Sequence, residues 1–195
     1  MNNRRRKKKI RKENKMLAER FPFLIPRNIW TDKIPKDYDY TYTLLDSMPC
    51  GWRRAFGRQL LEELREELVK WKYLDQYRVV QIKEKYGQLR WYDNGSPNGS
   101  DIENIISRYS VISENVCILC GKLDVPMVMG YWILPVCRNC YRGDKPYDEI
   151  ADMEHSKIKE SYVINIMSNG NMIPTTYDTS KSVAKIRPVK KARPK

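Results

Sequence analysis

Cys117, Cys120, Cys137 and Cys140 stand in the chain as C-x2-C-x16-C-x2-C. A two-residue gap lets one tight turn aim two sulfurs at one point. Two such turns supply four thiolates, the donor set of a closed tetrahedral zinc site with bonds of about 2.3 Å. Gly121, directly after the first pair, suits such a turn because it tolerates positive φ. An iron–sulfur cluster takes the same four donors, and spacing leaves that alternative open. A catalytic zinc keeps an open position and usually takes His or carboxylate ligands. The sole histidine, His155, lies fifteen residues past Cys140 and reads as an ordinary surface residue. The expectation is a structural Zn2+ site, with no catalytic residue and no small-molecule substrate. No phosphate-binding or nucleophile-elbow glycine motif occurs, and nothing assembles nucleophile, base and oxyanion donor. The fifth cysteine, Cys50, reads as a small buried apolar residue.

The net charge is +13 over 195 residues, and it is unevenly placed. Residues 1–20 carry ten Lys/Arg against two Glu, and residues 181–195 carry seven Lys/Arg and no acid. The 160 residues between hold 20 basic and 22 acidic side chains. The folded middle is therefore near neutral, and the basic character belongs to the ends. Basic arms neutralise phosphates without reading sequence. The candidate contacts are Arg4, Arg5, Arg6, Lys7, Lys8, Lys9, Arg11 and Lys12 at one end, and Lys190, Lys191 and Arg193 at the other. No apolar run approaches the roughly 20 residues of a membrane span, and no apolar stretch follows the basic start. A cytoplasmic protein without a membrane partner is expected, since paired cysteines there favour metal over disulfides.

Five segments follow from composition and periodicity. Residues 1–19 read as a flexible basic arm, 20–115 as a helical and hairpin core, and 116–150 as the four-cysteine module. Residues 151–180 read as a weakly structured extension and 181–195 as a basic tail. Pro22, Pro26 and Pro35 break helix, so 21–45 should wrap over the core and cover Phe21, Phe23, Ile25, Ile29 and Trp30. Trp52, Phe56, Leu60, Leu64, Leu68 and Trp71 form one apolar stripe at helical spacing, predicting a helix over 52–73. Glu62, Glu63, Glu66 and Glu67 read as its solvated face, with Arg58–Glu62 and Glu66–Lys70 as pairs four apart. Residues 77–93 alternate about Tyr86-Gly87, which predicts a β-hairpin with Val80 and Ile82 on one arm and Leu89 and Trp91 on the other. Lys83, Lys85, Arg90, Arg78 and Tyr86 are candidates for a basic, aromatic face on that hairpin. Ser100-Asp101-Ile102-Glu103 fits a capping box opening a second amphipathic helix to about 112. The fold class is therefore α+β: two amphipathic helices, a β-hairpin and a four-cysteine zinc module, flanked by disordered basic tails; that the module is a treble clef or ribbon is what its resemblance to known zinc modules implies.

The stretch CILCGKLDVPMVMGYWILPVCRNCY (117–141) resembles treble-clef zinc modules, and in outline GATA-type fingers. It shares two Cys-x-x-Cys pairs, a proline after the first pair and an Asn between the second, here Asn139. It departs from them after Cys140, where Arg142-Gly143-Asp144-Lys145-Pro146 should stop a helix early. It also departs in having no Arg or Lys between Lys122 and Cys137. The module is thus expected to fasten an apolar hairpin of Met127, Val128, Met129, Trp132, Ile133 and Leu134 onto the domain rather than to read bases. Metal binding would supply stability that so small a unit lacks.

RFPFLIPRNIW (20–30), MPCGWRRAFG (48–57), QIKEKYGQLRWYD (81–93) and the cysteine module together resemble a family of small phage and prophage proteins without assigned enzymatic activity. That resemblance, over residues 20–141, implies a phage-type protein in a bacterial cytoplasm. As a functional class it implies an inhibitor of a host defence nuclease, with a CRISPR–Cas effector complex as partner. Three function classes follow. One is a non-enzymatic binder of nucleic acid, DNA or RNA, or of a nucleoprotein such as that effector. Another is a sequence-specific DNA-binding regulator. The third is a module whose partner is protein only.

Overall fold

The computed structural model describes residues 3–152, 161–168 and 171–178. It opens with an 18-residue helix, α1 (Asn3–Arg20). Two 3-10 turns, Pro22–Leu24 and Leu44–Ser47, bracket an irregular stretch. Helix α2 (Cys50–Trp52) passes through a π-helical turn (Arg53–Gly57) into α3 (Arg58–Lys70). Strands β1 (Val79–Lys85) and β2 (Gln88–Asp93) form an antiparallel hairpin, and α4 (Ile102–Ser113) follows. The cysteine segment holds β3 (Met127–Met129) and β4 (Ile133–Pro135). After α5 (Tyr147–Ile150), β5 (Ala151–Asp152) joins them in the order β4-β3-β5. Strands β6 (Ser161–Ser168) and β7 (Asn171–Asp178) pair as a separate antiparallel hairpin. The α+β class holds.

The apolar stripe read from the sequence is the centre of the core. Trp52, Phe56, Leu60, Leu61, Leu64 and Leu68 are each at most 1% exposed. They belong to one cluster with Ile102, Ile105, Tyr109 and Ile112 of α4 and with Ile82, Leu89 and Trp91 of the hairpin. Burying each such side chain contributes about 1.5–3 kcal/mol before entropy is counted. Polar bonds then fix how α4 sits. Glu63 of α3 accepts hydrogen bonds from Arg108 and, at 3.0 Å, from the Tyr109 hydroxyl. The Leu89 N–H of β2 donates to Ser113 Oγ at 2.8 Å, and Ser110 Oγ donates to the Leu89 carbonyl. Two serines of α4 thus satisfy a strand edge that would otherwise be bare inside the protein.

Several sequence expectations change for identifiable reasons. Residues 3–20 are helix, not a flexible arm. The C-terminal half of α1 finds partners far along the chain. Ala18 and Asn14 are buried, Asn14 Nδ2 donates to Asp46 Oδ2 at 3.2 Å, and Arg11 pairs with Asp39. Arg20 Nε lies 2.9 and 3.0 Å from the two oxygens of Glu62. This hydrogen bond to Arg20 is the main reason the Glu62 carboxyl sits below its usual range. Glu62, Glu63 and Glu67 are therefore used between elements, not simply solvated. Arg58 does pair with Glu62, at 2.6 Å, but Lys70 pairs with Glu67 rather than Glu66.

In the 21–45 stretch, Phe21, Phe23 and Leu24 are covered. Ile29 and Trp30 are 76% and 87% exposed, on a tight loop closed by Asn28 Oδ1, which accepts from the Trp30 and Thr31 N–H groups. A register shift between Val79 and Gln81 buries Val79 and leaves Val80 outside. The capping box at Ser100 does not form. The N-cap is Asp101 without a side-chain cap, and the Asp101 N–H is taken by Glu67 at 3.0 Å. A capping box instead closes the 3-10 turn at Leu44–Ser47, between Thr43 and Asp46. Within 151–180, β5, β6 and β7 replace an expected weak extension.

Candidate metal centre and basic surfaces

The Cys117–Cys120 turn is positioned by the N-terminus of α2. The Gly51 N–H donates to the Ile118 carbonyl at 2.9 Å, and Cys50 Sγ donates to the Leu119 carbonyl at 3.1 Å. Beside them, Trp52 Nε1 donates to the Val116 carbonyl at 2.8 Å. Three consecutive residues thus grip the backbone of 116–119. Contact is so close that a Cβ on Gly51 would stand 2.1 Å from the Cys117 carbonyl oxygen. From the other side, a Cβ on Gly121 would stand 2.7 Å from the Gly51 carbonyl oxygen. Two glycines meet because neither backbone leaves room for a side chain. Cys50 is exposed, not the buried filler the sequence suggested; its thiol is part of this grip.

The second pair is brought in by the β3–β4 hairpin. The Ile118 N–H donates to the Pro135 carbonyl at 2.9 Å, and the Cys137 N–H points at Cys117 Sγ, 3.4 Å away. All four sulfurs lie within 4.8 Å of one another, and Cys120 and Cys137 are 3.7 Å apart. That separation is far from the roughly 2.05 Å of a disulfide. It matches the edge, about 3.8 Å, of a tetrahedron with metal–sulfur bonds of about 2.3 Å. The four cysteines can therefore hold a metal ion.

The thiols are polarised unequally. Burial disfavours the Cys117 thiolate, but the N–H groups of Cys137, Cys120 and Leu119 outweigh it and hold Cys117 below its ordinary value. Burial and the neighbouring sulfurs push Cys120 and Cys140 up. A cation held at the centre would supply the missing counter-charge, since a coordinating thiol is deprotonated outright. Of treble clef and ribbon, the local arrangement is ribbon-like. Cys137–Cys140 closes a single turn, with the Cys140 and Tyr141 N–H groups on the Cys137 carbonyl. No helix follows Cys140 until Tyr147, so the helix expected to stop early at Arg142–Pro146 does not form.

The hairpin between the pairs is only half fastened. Met127 and Val128 are buried, but Met129 is half-exposed and Trp132 is 77% exposed. Tyr131, beside it at the tip, is fully exposed. An apolar run interrupted by Gly130-Tyr131-Trp132 was the available signal for an aromatic turn, and periodicity alone did not separate it from core.

The predicted nucleic-acid residues fall into three groups. Arg4, Arg5, Arg6, Lys7, Lys8, Lys9, Arg11 and Lys12 are all exposed on α1. Lys83 and Arg90 are cross-strand partners and Lys85 falls on the same side of its strand, but Arg90 is half-buried and lines a groove with Glu114 and Asp152. Lys83 Nζ sits 5.1 Å from the Tyr92 ring and Lys85 Nζ 5.3 Å from the Tyr86 ring, so the face does combine cations with aromatics. Arg78 leaves the group: its guanidinium bonds the Tyr77 carbonyl and lies 3.9 Å from Asp32. Lys190, Lys191 and Arg193 lie outside the described residues, as does His155. Among the described residues no helix is long and apolar enough to cross a membrane.

Comparisons with known proteins return no matching family model, no similar curated protein and no similar solved structure.

Gly51→Ala should cost at least about 1–3 kcal/mol, because the added methyl meets the backbone of Cys117 and Ile118. Chemical denaturation and titration of the four thiols will report it. An unchanged midpoint would contradict the close contact.

Proposed function

We propose that this protein is a non-enzymatic, zinc-stabilised binder of nucleic acid, acting through the phosphate backbone. The observation that carries the reading is α1. Its first four turns present nine Lys/Arg, all exposed, with no acid in the first turn. Cations at a helix N-terminus oppose the helix dipole, so this arrangement is unfavourable in isolation and relieved by a bound polyanion. The C-terminal half of the same helix is anchored through Asn14, Ala18 and Arg20, which holds the cationic half on a fixed stem. On the β1–β2 hairpin, Lys83 and Lys85 beside the Tyr92 and Tyr86 rings offer a second cationic surface bearing aromatics.

Zinc is the metal we assign to the four thiolates, as a closed structural site. Cys117→Ser or Cys140→Ser should release it and lower the thermal midpoint. Elemental analysis of the purified protein should give one zinc per chain. Iron with a visible charge-transfer band, or a metal-free protein of equal stability, would sink this assignment.

Binding to duplex DNA should weaken steeply with salt. If about six phosphates are engaged, log K falls against log salt with a slope of roughly −5. Replacing Arg4, Arg5, Lys8 and Lys12 by Gln should reduce the slope by about three to four. A footprint confined to one sequence would instead favour a site-specific regulator.

The narrower reading is inhibition of a host CRISPR–Cas effector, supported by the resemblance to phage and prophage proteins. Its route would be α1 on the guide or target strand. The carboxylates of α3 are not offered to a basic channel of the effector, because Glu62, Glu63 and Glu67 are engaged within the fold. In an RNA-guided cleavage assay with saturating protein, the effector should lose activity and the α1 Gln variant should restore it. Full cleavage at saturation removes the inhibitor reading for the effector tested.

A further inference from the structure

Beside the four-cysteine centre runs a groove of about 580 Å³, within the roughly 300–1,000 Å³ typical of ligand sites. Its floor is apolar, made of Leu119, Val128, Leu134, Val136 and Ile150. One wall is the β3–β4 tip, where Tyr131 and Trp132 stand in solvent. The other wall is the 141–145 loop. That loop is held in shape by its own bonds: the Tyr141 hydroxyl donates to the Lys145 carbonyl at 2.9 Å, and the Tyr141 ring packs 5.5 Å from Tyr147. Tyr147 in turn donates its hydroxyl to the Val136 carbonyl at 2.8 Å, tying the loop to the metal module. Arg142 and Lys145 sit on the rim with one acid, Asp144.

We infer that this groove is a stacking site for unpaired bases of single-stranded nucleic acid, with Trp132 and Tyr131 as the aromatic platform and Arg142 and Lys145 on the flanking phosphates. The inference rests on the proposed nucleic-acid reading and names the form of strand the metal module would take. An exposed aromatic pair is costly to keep in water, and a solvated hairpin needs none at its tip. Flat rings with cations lining the same groove are the arrangement that holds unpaired strands, since every base offers a π-face. The charge on the rim favours a polyanion over an apolar peptide. The metal centre gives the platform its rigidity, because both ends of the hairpin are held by the cysteine pairs. This contact differs in kind from α1: it depends on bases, whereas α1 depends on phosphates.

The test uses the full chain with three probes of equal phosphate count: a thymine oligonucleotide, the same strand with abasic sites throughout, and a duplex. Binding is read by anisotropy, for wild type, Trp132→Ala and the α1 Gln variant. Trp132→Ala should weaken the thymine strand about tenfold and leave the abasic strand and duplex unchanged. Its zinc content and thermal midpoint should match wild type, because the side chain lies outside the core. The α1 Gln variant should weaken all three. If Trp132→Ala binds thymine strand as wild type does while duplex binding persists, the inference is overturned and the broader reading stands. If wild type dimerises and Trp132→Ala does not, the tip is a self-association surface and the inference is likewise overturned. If no probe binds any variant at low salt, the proposed function fails and takes the inference with it.

Discussion

The fold depends on one close backbone contact, the meeting of Gly51 with the 117–121 turn. Here the start of the main core helix and the first pair of thiols are the same structural event. The Gly51 N–H and Trp52 indole each satisfy a carbonyl of 116–118, and Cys50 satisfies that of Leu119. Buried carbonyls left without partners cost about 1–3 kcal/mol each, so the contact is either complete or strongly disfavoured. It joins the two halves of the chain across more than sixty residues of sequence. A metal bound by the four cysteines would therefore stabilise the helical core as well as the small ribbon, because the same backbone serves both.

Charge is handled in two different ways. Within the folded part, carboxylates are taken up by specific partners: Glu62 by Arg20 and Arg58, Glu63 by Arg108, Glu67 by Lys70, the Trp71 indole and the Asp101 N–H. The contacts from Arg20, Arg108 and the Asp101 N–H cross between elements, so they select how α1 and α4 lie on α3 more than they add stability, whereas Arg58, Lys70 and Trp71 act within α3 or at its end; exposed ion pairs contribute little. Along the outer half of α1, by contrast, cations accumulate with few acids near them. An excess of one sign on one helix is unfavourable for that helix alone. The asymmetry is what makes α1 the strongest functional feature outside the cysteines.

The metal module separates fastening from display. Its base is tied into the core through Val116, Cys117, Val128 and Cys137. Its tip carries aromatic rings into solvent. A rigid scaffold with an exposed tip is the usual division between positioning and contact.

Much of this was legible in the residues alone. Four cysteines at matched spacing located the four-thiol cluster that can hold a metal ion, and the four-residue recurrence from Trp52 to Leu68 located the core helix. Tyr86-Gly87 located the hairpin turn, with both residues at positive φ as such a turn requires. Each of these signals is local, set by spacing along a few turns or strands. What the residues alone did not reveal depends on partners distant in sequence. Basic composition suggested a loose arm for 1–19, but Asp39, Asp46 and Glu62 give the 3–20 helix anchors. Cys50 looked like filler, and only the approach of residue 119 gives its thiol a role. Met129 and Trp132 looked like core, and only the packed geometry leaves them outside. Local periodicity fixes which elements form; which side chains end up buried, paired or displayed is decided by close packing between segments far apart in the chain.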